Sequence, residues 1–289
     1  MDKQLLTKAL TQTINLPPLM VVVPATIAGL IVSGPFDAVR FLLVILLTVI
    51  TDTSANVINN YSDWEIDKMN NKRKEMHETF SKKSLIATYA LLLAGVAALL
   101  FVLGANLFLI ASTAAFAFLG LVYSWGPKLK DVTPLNYISI ALAYGGLSFC
   151  MGLFSQNGSA ELLLTWLPVI LAIVMIDIGY SITKDYVDYE GDKHYGKKTL
   201  PVILGKQKAI FVQFGVILAA YTLLAIALFA EWISLAYAWF FLSFAIAVYM
   251  LRKVNYATER SELKQAYFIT AYNGLFVRAI LIAVLLFGV

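Results

Sequence analysis

Long apolar runs, each separated from the next by a short polar segment, divide this sequence of 289 residues. Runs of about 20 apolar residues are long enough to cross a bilayer, and in hydrocarbon they satisfy their backbone hydrogen bonds as α-helices. Hydrophobic residues make up 60% of the chain and charged residues 14%, which is typical of an integral membrane protein. We therefore predict an all-α polytopic membrane protein. Its nine transmembrane helices are expected at about 16–33, 38–60, 84–104, 107–125, 134–154, 162–182, 207–229, 232–251 and 266–288.

The basic residues predict the orientation of these helices, because cytoplasmic loops carry an excess of Lys and Arg. All of the 22 Lys and Arg residues except Arg40 and Arg278 fall on the side of the N-terminus. The N-terminus and the loops on its side are therefore predicted to be cytoplasmic, and the C-terminus external. The positive charge of these loops indicates attraction to anionic lipid headgroups, and no nucleic-acid partner is expected.

An internal duplication organises the chain, since residues 52–68 align without a gap on residues 177–193. The duplicated segments end the second and the sixth predicted helix. We expect two parallel four-helix repeats, at about 16–125 and 134–251, and a last helix at about 266–288, together forming a single domain over 1–289. Parallel repeats would bring the duplicated segments face to face around a central cavity. The identical positions are Asp52, Tyr61, Asp63, Glu65, Asp67 and Lys68, which recur as Asp177, Tyr186, Asp188, Glu190, Asp192 and Lys193.

Polar side chains recur at helical spacing in both segments. Positions 52, 56, 59, 63 and 67 are Asp, Asn, Asn, Asp and Asp, and positions 177, 181, 184 or 185, 188 and 192 are Asp, Ser, Lys or Asp, Asp and Asp. Residues with this spacing share a helix face, where like charges repel, so a cation is expected among them. Oxygen ligands without usable His or Cys suit Mg²⁺, which takes one or two carboxylates and completes its coordination with water and phosphate oxygens. The implied ligand is a diphosphate.

Two structural interpretations compete with a metal site. Acidic residues at a helix end are also typical of a solvated cap. Asp52 and Asp177 lie several turns inside apolar runs, where polar side chains form a functional site or join helices by hydrogen bonds. The distal acids are the better metal candidates: Asp63, Asp67, Asp185, Asp188 and Asp192.

Basic and aromatic residues surround both clusters. Together with Mg²⁺, the basic groups would neutralise charge on a departing diphosphate. Most of the aromatic residues are typical of packing or of the membrane interface, and a few are candidates to stabilise an allylic cation. The basic residues are Lys68, Lys72, Arg73 and Lys74 near the first cluster, Lys184, Lys193, Lys197 and Lys198 near the second, and Lys128 and Lys130 between them.

Three stretches resemble the UbiA superfamily of intramembrane prenyltransferases. The signature Asn-x-x-x-Asp-x-x-x-Asp is met by Asn59, Asp63 and Asp67. A second stretch is similar to the form YxxxKDxxDxxGD found in some branches of the superfamily. YSWGPKLKD at 123–131, followed by Asn136, resembles the family's cytoplasmic loop between helices 4 and 5. The residues of the second signature are Tyr180, Lys184, Asp185, Asp188, Gly191 and Asp192.

The resemblance implies nine helices around a central cavity and Mg²⁺-dependent transfer of a polyprenyl group from its diphosphate to a lipophilic acceptor. The acceptor would be a quinone-precursor aromatic or a glyceryl-phosphate-type ether lipid. The implied Mg²⁺ ligands are Asp63, Asp67, Asp185, Asp188 and Asp192. The implied catalytic residues are Asp63, Asp67, Lys184, Asp185 and Asp188, and the implied diphosphate-binding residues are Asn59, Arg73, Tyr123, Lys128, Lys130 and Tyr180.

Two alternative functions are also consistent with the sequence. One is a terpene cyclase or a carotenoid elongase of the same superfamily, in which an alkene captures the allylic cation. The other is an ion-coupled membrane transporter, because paired carboxylates in repeated halves are also typical of a transport path. A transporter predicts polar residues on both sides of the membrane, whereas the acids here cluster on one predicted side.

Overall fold

A computed structural model describes residues 3–69, 72–194 and 196–287. Within these ranges the chain is helical and has no β-strand, which confirms the predicted all-α class. The helices are α1 (Lys3–Ile14), α2 (Leu16–Val32), α3 (Ala38–Ser62), α4 (Trp64–Met69), α5 (Lys74–Thr79), α6 (Lys82–Val102), α7 (Leu107–Ser124), α8 (Leu135–Ala141), α9 (Ser148–Leu153), α10 (Ala160–His194), α11 (Leu200–Leu204), α12 (Lys206–Phe229), α13 (Phe240–Tyr256) and α14 (Arg260–Phe287). A π-helical segment, Leu142–Leu147, joins α8 to α9.

Eight helical segments in the described ranges are long and apolar enough to cross a membrane. The pair α1 and α2, bent by 57°, raises the number to nine if it counts as one span. The bend lies at Asn15, whose φ of 58° is left-handed. Each of the nine predicted apolar runs therefore corresponds to a helical segment of the structure. The number of membrane spans is eight or nine, depending on whether α1 and α2 together count as one span.

The chain divides into two compact units, Met1–Lys128 with Cys150–Gly158, and Leu129–Phe149 with Ser159–Val289. Each predicted repeat falls within one unit, except that the end of the fifth predicted helix belongs to the first unit. The prediction of a single domain stays a prediction.

Helix α3 is central to the first unit and packs against α2, α6 and α7. Asp37 caps its N-terminus by accepting hydrogen bonds from the backbone N–H groups of Val39 and Arg40, at 2.9 and 3.1 Å. The helix ends at Ser62, and Asp63 is its C-cap. The acidic residues of the first segment therefore do not lie on one uninterrupted helix, which corrects the prediction of a continuous stripe.

Gly152 on α9 marks a close approach of two helices in the first unit. A Cβ at this position would lie 2.1 Å from the carbonyl oxygen of Thr26 and 2.6 Å from the backbone N of Leu30, both on α2. Backbone atoms cannot rotate away as a flexible side chain can, so an added methyl group forces the helices apart.

Replacement of Gly152 by Ala is therefore expected to lower the free energy of unfolding by about 1–3 kcal/mol. Equilibrium unfolding in mixed micelles measures this change. The matched control is Gly215→Ala on α12, where a Cβ meets no atom within 4 Å; there Ala is the better helix former and stability is expected to stay equal or rise. Equal effects of the two substitutions would contradict the close approach.

Helix α10 organises the second unit and packs against α8, α12 and α14. Gln213 on α12 fixes its middle by donating to the carbonyl oxygen of Gly179 at 2.7 Å and to the hydroxyl of Thr183 at 2.8 Å. Unlike α3, α10 continues through the whole acidic segment to His194. The second set of acids therefore does lie on one helix.

Candidate functional site

The acids of the first cluster lie where α3 ends. Asp63 is half-buried at the end of the helix, and Asn59 lies one turn before it. The Oδ1 atom of Asn59 accepts a hydrogen bond from the hydroxyl of Ser124, at 3.2 Å, and Ser62 donates to the Ser124 carbonyl oxygen. The C-terminal end of α7, which also carries Tyr123, therefore fixes the end of α3.

Asp67 on α4 is 6% exposed and forms an ion pair with Arg73. Its carbonyl oxygen accepts from the backbone N–H of Lys72 at 2.8 Å. Arg73 has a left-handed φ of 50° and precedes α5. Lys72 and Arg73 therefore both contact the last acid of the first cluster, and Arg73 brings a guanidinium group to its carboxylate.

The second cluster has the same construction at its end. Asp192 is 6% exposed, its Oδ1 lies 3.2 Å from Nζ of Lys197, and its carbonyl oxygen accepts from the backbone N–H of Lys197 at 2.8 Å. Burial alone would lower the pKa of Lys197, but the carboxylates of Asp192, Asp131 and Asp188 together outweigh this effect, so the pKa lies above its usual value. Lys197 is therefore a cation at neutral pH, and each cluster ends in an acid paired with a basic loop residue.

Asp185 and Asp188 form the middle of the second cluster, and both are half-buried. The Tyr137 hydroxyl donates to Oδ2 of Asp185. A guanidinium nitrogen of Arg260 lies 3.7 Å from Oδ1 of Asp188. The side chains of this last pair are 68% and 38% exposed, so the pair contributes little stability and the Asp188 carboxylate is partly open to solvent.

The remaining predicted residues differ in exposure. Lys128 and Lys184 are exposed, and Lys130 is half-buried in a short 3₁₀ helix, Leu129–Asp131. Tyr180 lies deeper, is 7% exposed, and its hydroxyl accepts from Asn273 of α14 at 2.5 Å. The lysine side chains are thus open to solvent at least in part, whereas the hydroxyl of Tyr180 is already engaged.

The donor atoms fit Mg²⁺ that is held together with a substrate. In the described ranges, no group of three or more His, Cys, Asp or Glu side chains is arranged to hold a metal ion. Each cluster instead offers carboxylate oxygens at a helix end. Mg²⁺ is usually bound through one or two carboxylates plus substrate phosphates, so this donor set suits a metal that is completed by a diphosphate.

The two deep acids, equivalent by duplication, have different surroundings. Asp177 forms an ion pair at 2.5 Å with Arg278 of α14, which is 1% exposed. Asp52 is fully buried, and its Oδ2 accepts from Asn56 at 3.0 Å. The helix-joining interpretation therefore fits Asp177. From the sequence, Arg278 was noted only as a basic residue that does not fall on the side of the N-terminus. A basic residue inside an apolar run nevertheless indicates an acidic partner.

Sequence comparison identifies the family of this chain. The UbiA prenyltransferase family matches residues 21–273. The digeranylgeranylglyceryl phosphate synthase of Pyrococcus abyssi is 31% identical over 187 residues, covering 61% of each chain. The chloroplastic 2-acyl-4-prenylphloroglucinol 6-prenyltransferase of Humulus lupulus is 30% identical over 246 residues, covering 78% of this chain and 58% of the relative. The matched regions thus span about three fifths of these relatives.

Solved structures show the same fold. A digeranylgeranylglyceryl phosphate synthase superposes with a TM-score of 0.76 at 19% identity, over 97% of this chain and 98% of that chain. A UbiA homologue from Archaeoglobus fulgidus, solved with GPP and Mg²⁺, superposes with a TM-score of 0.71 at 19% identity, over 95% and 99%. With the family match over most of the chain, these results confirm the resemblance: the chain belongs to the UbiA prenyltransferase family.

Proposed function

We propose that this protein transfers a polyprenyl group from polyprenyl diphosphate to a lipophilic acceptor in a Mg²⁺-dependent reaction. The observation that carries this proposal is the paired construction of the acidic clusters. Asp67 and Asp192 are equivalent by the duplication, and each forms an ion pair with a basic residue of the loop that follows, Arg73 and Lys197 respectively. A magnesium diphosphate needs both kinds of partner.

The proposed roles follow from exposure and charge. Asp63, Asp67, Asp185, Asp188 and Asp192 would hold Mg²⁺, and Asn59 and Tyr123 would line the first cluster. When bound, Mg²⁺ would neutralise the diphosphate and so favour its departure. Positive charge would also come from Arg73, Lys128, Lys130 and Lys184.

The reaction exchanges one bond for another. The bond between the allylic carbon and the diphosphate oxygen breaks, and that carbon forms a bond to a nucleophilic oxygen or carbon of the acceptor, which gives up a proton. The apolar helices would exclude water from the allylic cation. Tyr180 would line the deeper part of this path, held by Asn273.

A glyceryl-phosphate-type ether lipid is the acceptor that we favour. Several of the similar curated proteins are digeranylgeranylglyceryl phosphate synthases, and one of the most similar folds has the same name. The Humulus lupulus relative prenylates a phloroglucinol according to its name, so an aromatic acceptor is the alternative within the same reaction.

We also propose the topology given by the basic residues. The N-terminus and the loops that carry the acidic clusters would be cytoplasmic, the C-terminus would be external, and 1–289 would form one transmembrane domain.

The proposed function is tested with purified protein, geranylgeranyl diphosphate and two acceptors, geranylgeranylglyceryl phosphate and an aromatic quinone precursor. We expect diphosphate release that requires both Mg²⁺ and the glyceryl phosphate, with an ether product of the summed mass. Release without an acceptor, with a hydrocarbon product, would instead indicate a terpene cyclase. Folded protein that releases no diphosphate under any condition would contradict the proposal and favour the transporter.

A further inference from the structure

One buried tyrosine connects the second acidic cluster to the loop that follows it. Tyr137 lies in the first turn of α8 and is 3% exposed. Its hydroxyl donates to Oδ2 of Asp185 and accepts from the backbone N–H of Leu200 at 3.0 Å. Leu200 is the first residue of α11, and the first N–H groups of a helix have no partner within it. Tyr137 therefore both orients an acid and caps the helix beyond it.

The first unit contains an equivalent connection. Gln12 on α1 stands 125 positions before Tyr137, the offset that relates the duplicated segments. Its Oε1 accepts from the backbone N–H of Met76 at 3.0 Å, and its Nε2 donates to Glu75 at 2.6 Å. By the same offset, Glu75 corresponds to Leu200. Two chemically different side chains therefore each accept from a backbone N–H in the first turn of the helix that follows the cluster, although the two donors are one position apart in the alignment.

The equivalence extends to the cluster residue. Asn60 corresponds to Asp185, and its Nδ2 donates to the carbonyl oxygen of Thr13, the neighbour of Gln12, at 3.3 Å. In each unit, a helix that precedes the acidic segment, α1 or α8, thus contacts both that segment and the helix that follows it. Since the sequences differ at these positions, the shared geometry is a property of the repeat rather than of one side chain.

In each unit, the contacted residue of the cluster and the contacted residue of the following helix flank a basic loop residue in the sequence. Arg73 stands between the first cluster and α5, and Lys197 between the second cluster and α11; each forms an ion pair with the last acid of its cluster. In the second unit, the Thr133 hydroxyl also donates to the carbonyl oxygen of Lys198, at 2.6 Å. A loop held at both ends keeps its basic residue at a fixed distance from the acids.

We propose that Tyr137 is a positioning residue for the second cluster and that Gln12 is its counterpart for the first. Tyr137 fixes the carboxylate of Asp185 and the start of α11, and thereby the loop that carries Lys197. Gln12 fixes α5 and the loop that carries Arg73. The catalytic consequence rests on the proposed function, whereas the contacts themselves do not.

Hydrogen exchange tests the contact independently of activity. In Tyr137→Phe, the ring still fills its site but the Leu200 N–H loses its acceptor, so its exchange is expected to accelerate at least about tenfold while global stability is retained. Tyr237→Phe is the matched control, because its side chain is also buried and its hydroxyl has no hydrogen-bond partner among the described residues. Unchanged exchange at Leu200 would overturn the proposal, whatever the activity. Gln12→Leu should accelerate exchange at Met76 in the same way.

Magnesium dependence tests the consequence. Loss of an outer partner of a metal ligand usually weakens metal affinity or activity about 10- to 100-fold. Tyr137→Phe is therefore expected to raise the Mg²⁺ concentration for half-maximal turnover at least about tenfold, with the maximal rate largely recovered at saturating Mg²⁺. Tyr237→Phe should leave this concentration unchanged. Accelerated exchange with an unchanged Mg²⁺ requirement would overturn the positioning role, and an inactive wild type would instead refute the proposed function.

Discussion

Asp63→Asn and Asp188→Asn are each expected to lower the rate of prenyl transfer on the order of 100- to 1,000-fold, the usual effect of removing one preorganised electrostatic contact to a reacting group. Asn keeps the shape of Asp but removes the charge that a magnesium diphosphate requires. Neither acid belongs to the apolar core, since both are half-buried, Asp63 at the end of α3 and Asp188 in the last turns of α10. The protein should therefore fold normally. Initial rates of diphosphate release measure the effect.

The matched control is Asp37→Asn, at the other end of α3. Asp37 caps that helix, and Asn is an equally good N-cap residue, so this variant loses the same charge and should keep full activity. Gel filtration and circular dichroism verify the fold of all three variants. Wild-type turnover in either Asp63→Asn or Asp188→Asn would refute the proposed role of that cluster.

Breaking the buried ion pair between Asp177 and Arg278 is expected to cause the largest loss of stability. Arg278 is 1% exposed, its Nη2 lies 2.5 Å from Asp177, and its Nη1 donates to the carbonyl oxygen of Gly274 at 3.2 Å. Removal of one partner leaves the other charge buried and uncompensated. Such changes cost about 3–5 kcal/mol, so Asp177→Leu or Arg278→Met should lower the free energy of unfolding by that amount.

The double variant separates the ion pair from simple packing. Replacing both partners of a buried pair by apolar residues is often neutral or stabilising, so Asp177→Leu with Arg278→Met should recover most of the lost stability. Equilibrium unfolding in mixed micelles gives all three values. Single variants as stable as the wild type, or a double variant that loses the sum of both effects, would contradict the buried pair.

Helix positions were predictable from the sequence because the thickness of the bilayer fixes the length of an apolar run. The run predicted at 207–229 is α12, Lys206–Phe229, and the run at 38–60 is α3, Ala38–Ser62. The bend at Asn15 was not predictable, because a left-handed backbone conformation at one residue does not change the apolar pattern from which the helices were predicted. The break at Asp63 was missed for a similar reason, because the acidic spacing fits either one helix or two.

The acidic clusters were predictable because their charged residues are duplicated and helically spaced. Charged residues are rare in apolar runs, so such a pattern is easily recognised there. Their binding of Mg²⁺ stays a prediction. Gln12 and Tyr137 gave no signal as a pair, because a comparison of residue types does not relate glutamine to tyrosine. Only the offset of the repeat connects them, and their shared contacts are made to backbone atoms.

Binding of a slowly reacting diphosphate analogue, in which the bond between the allylic carbon and the leaving group resists cleavage, tests the central claim most directly. Geranylgeranyl thiolodiphosphate should bind the wild type in the presence of Mg²⁺, and this binding should be lost on addition of EDTA. Asp63→Asn and Asp188→Asn should each weaken it in Mg²⁺, whereas Asp37→Asn should not. Binding that is equally tight in EDTA, or that survives both cluster substitutions, would contradict a magnesium diphosphate held by the duplicated acids.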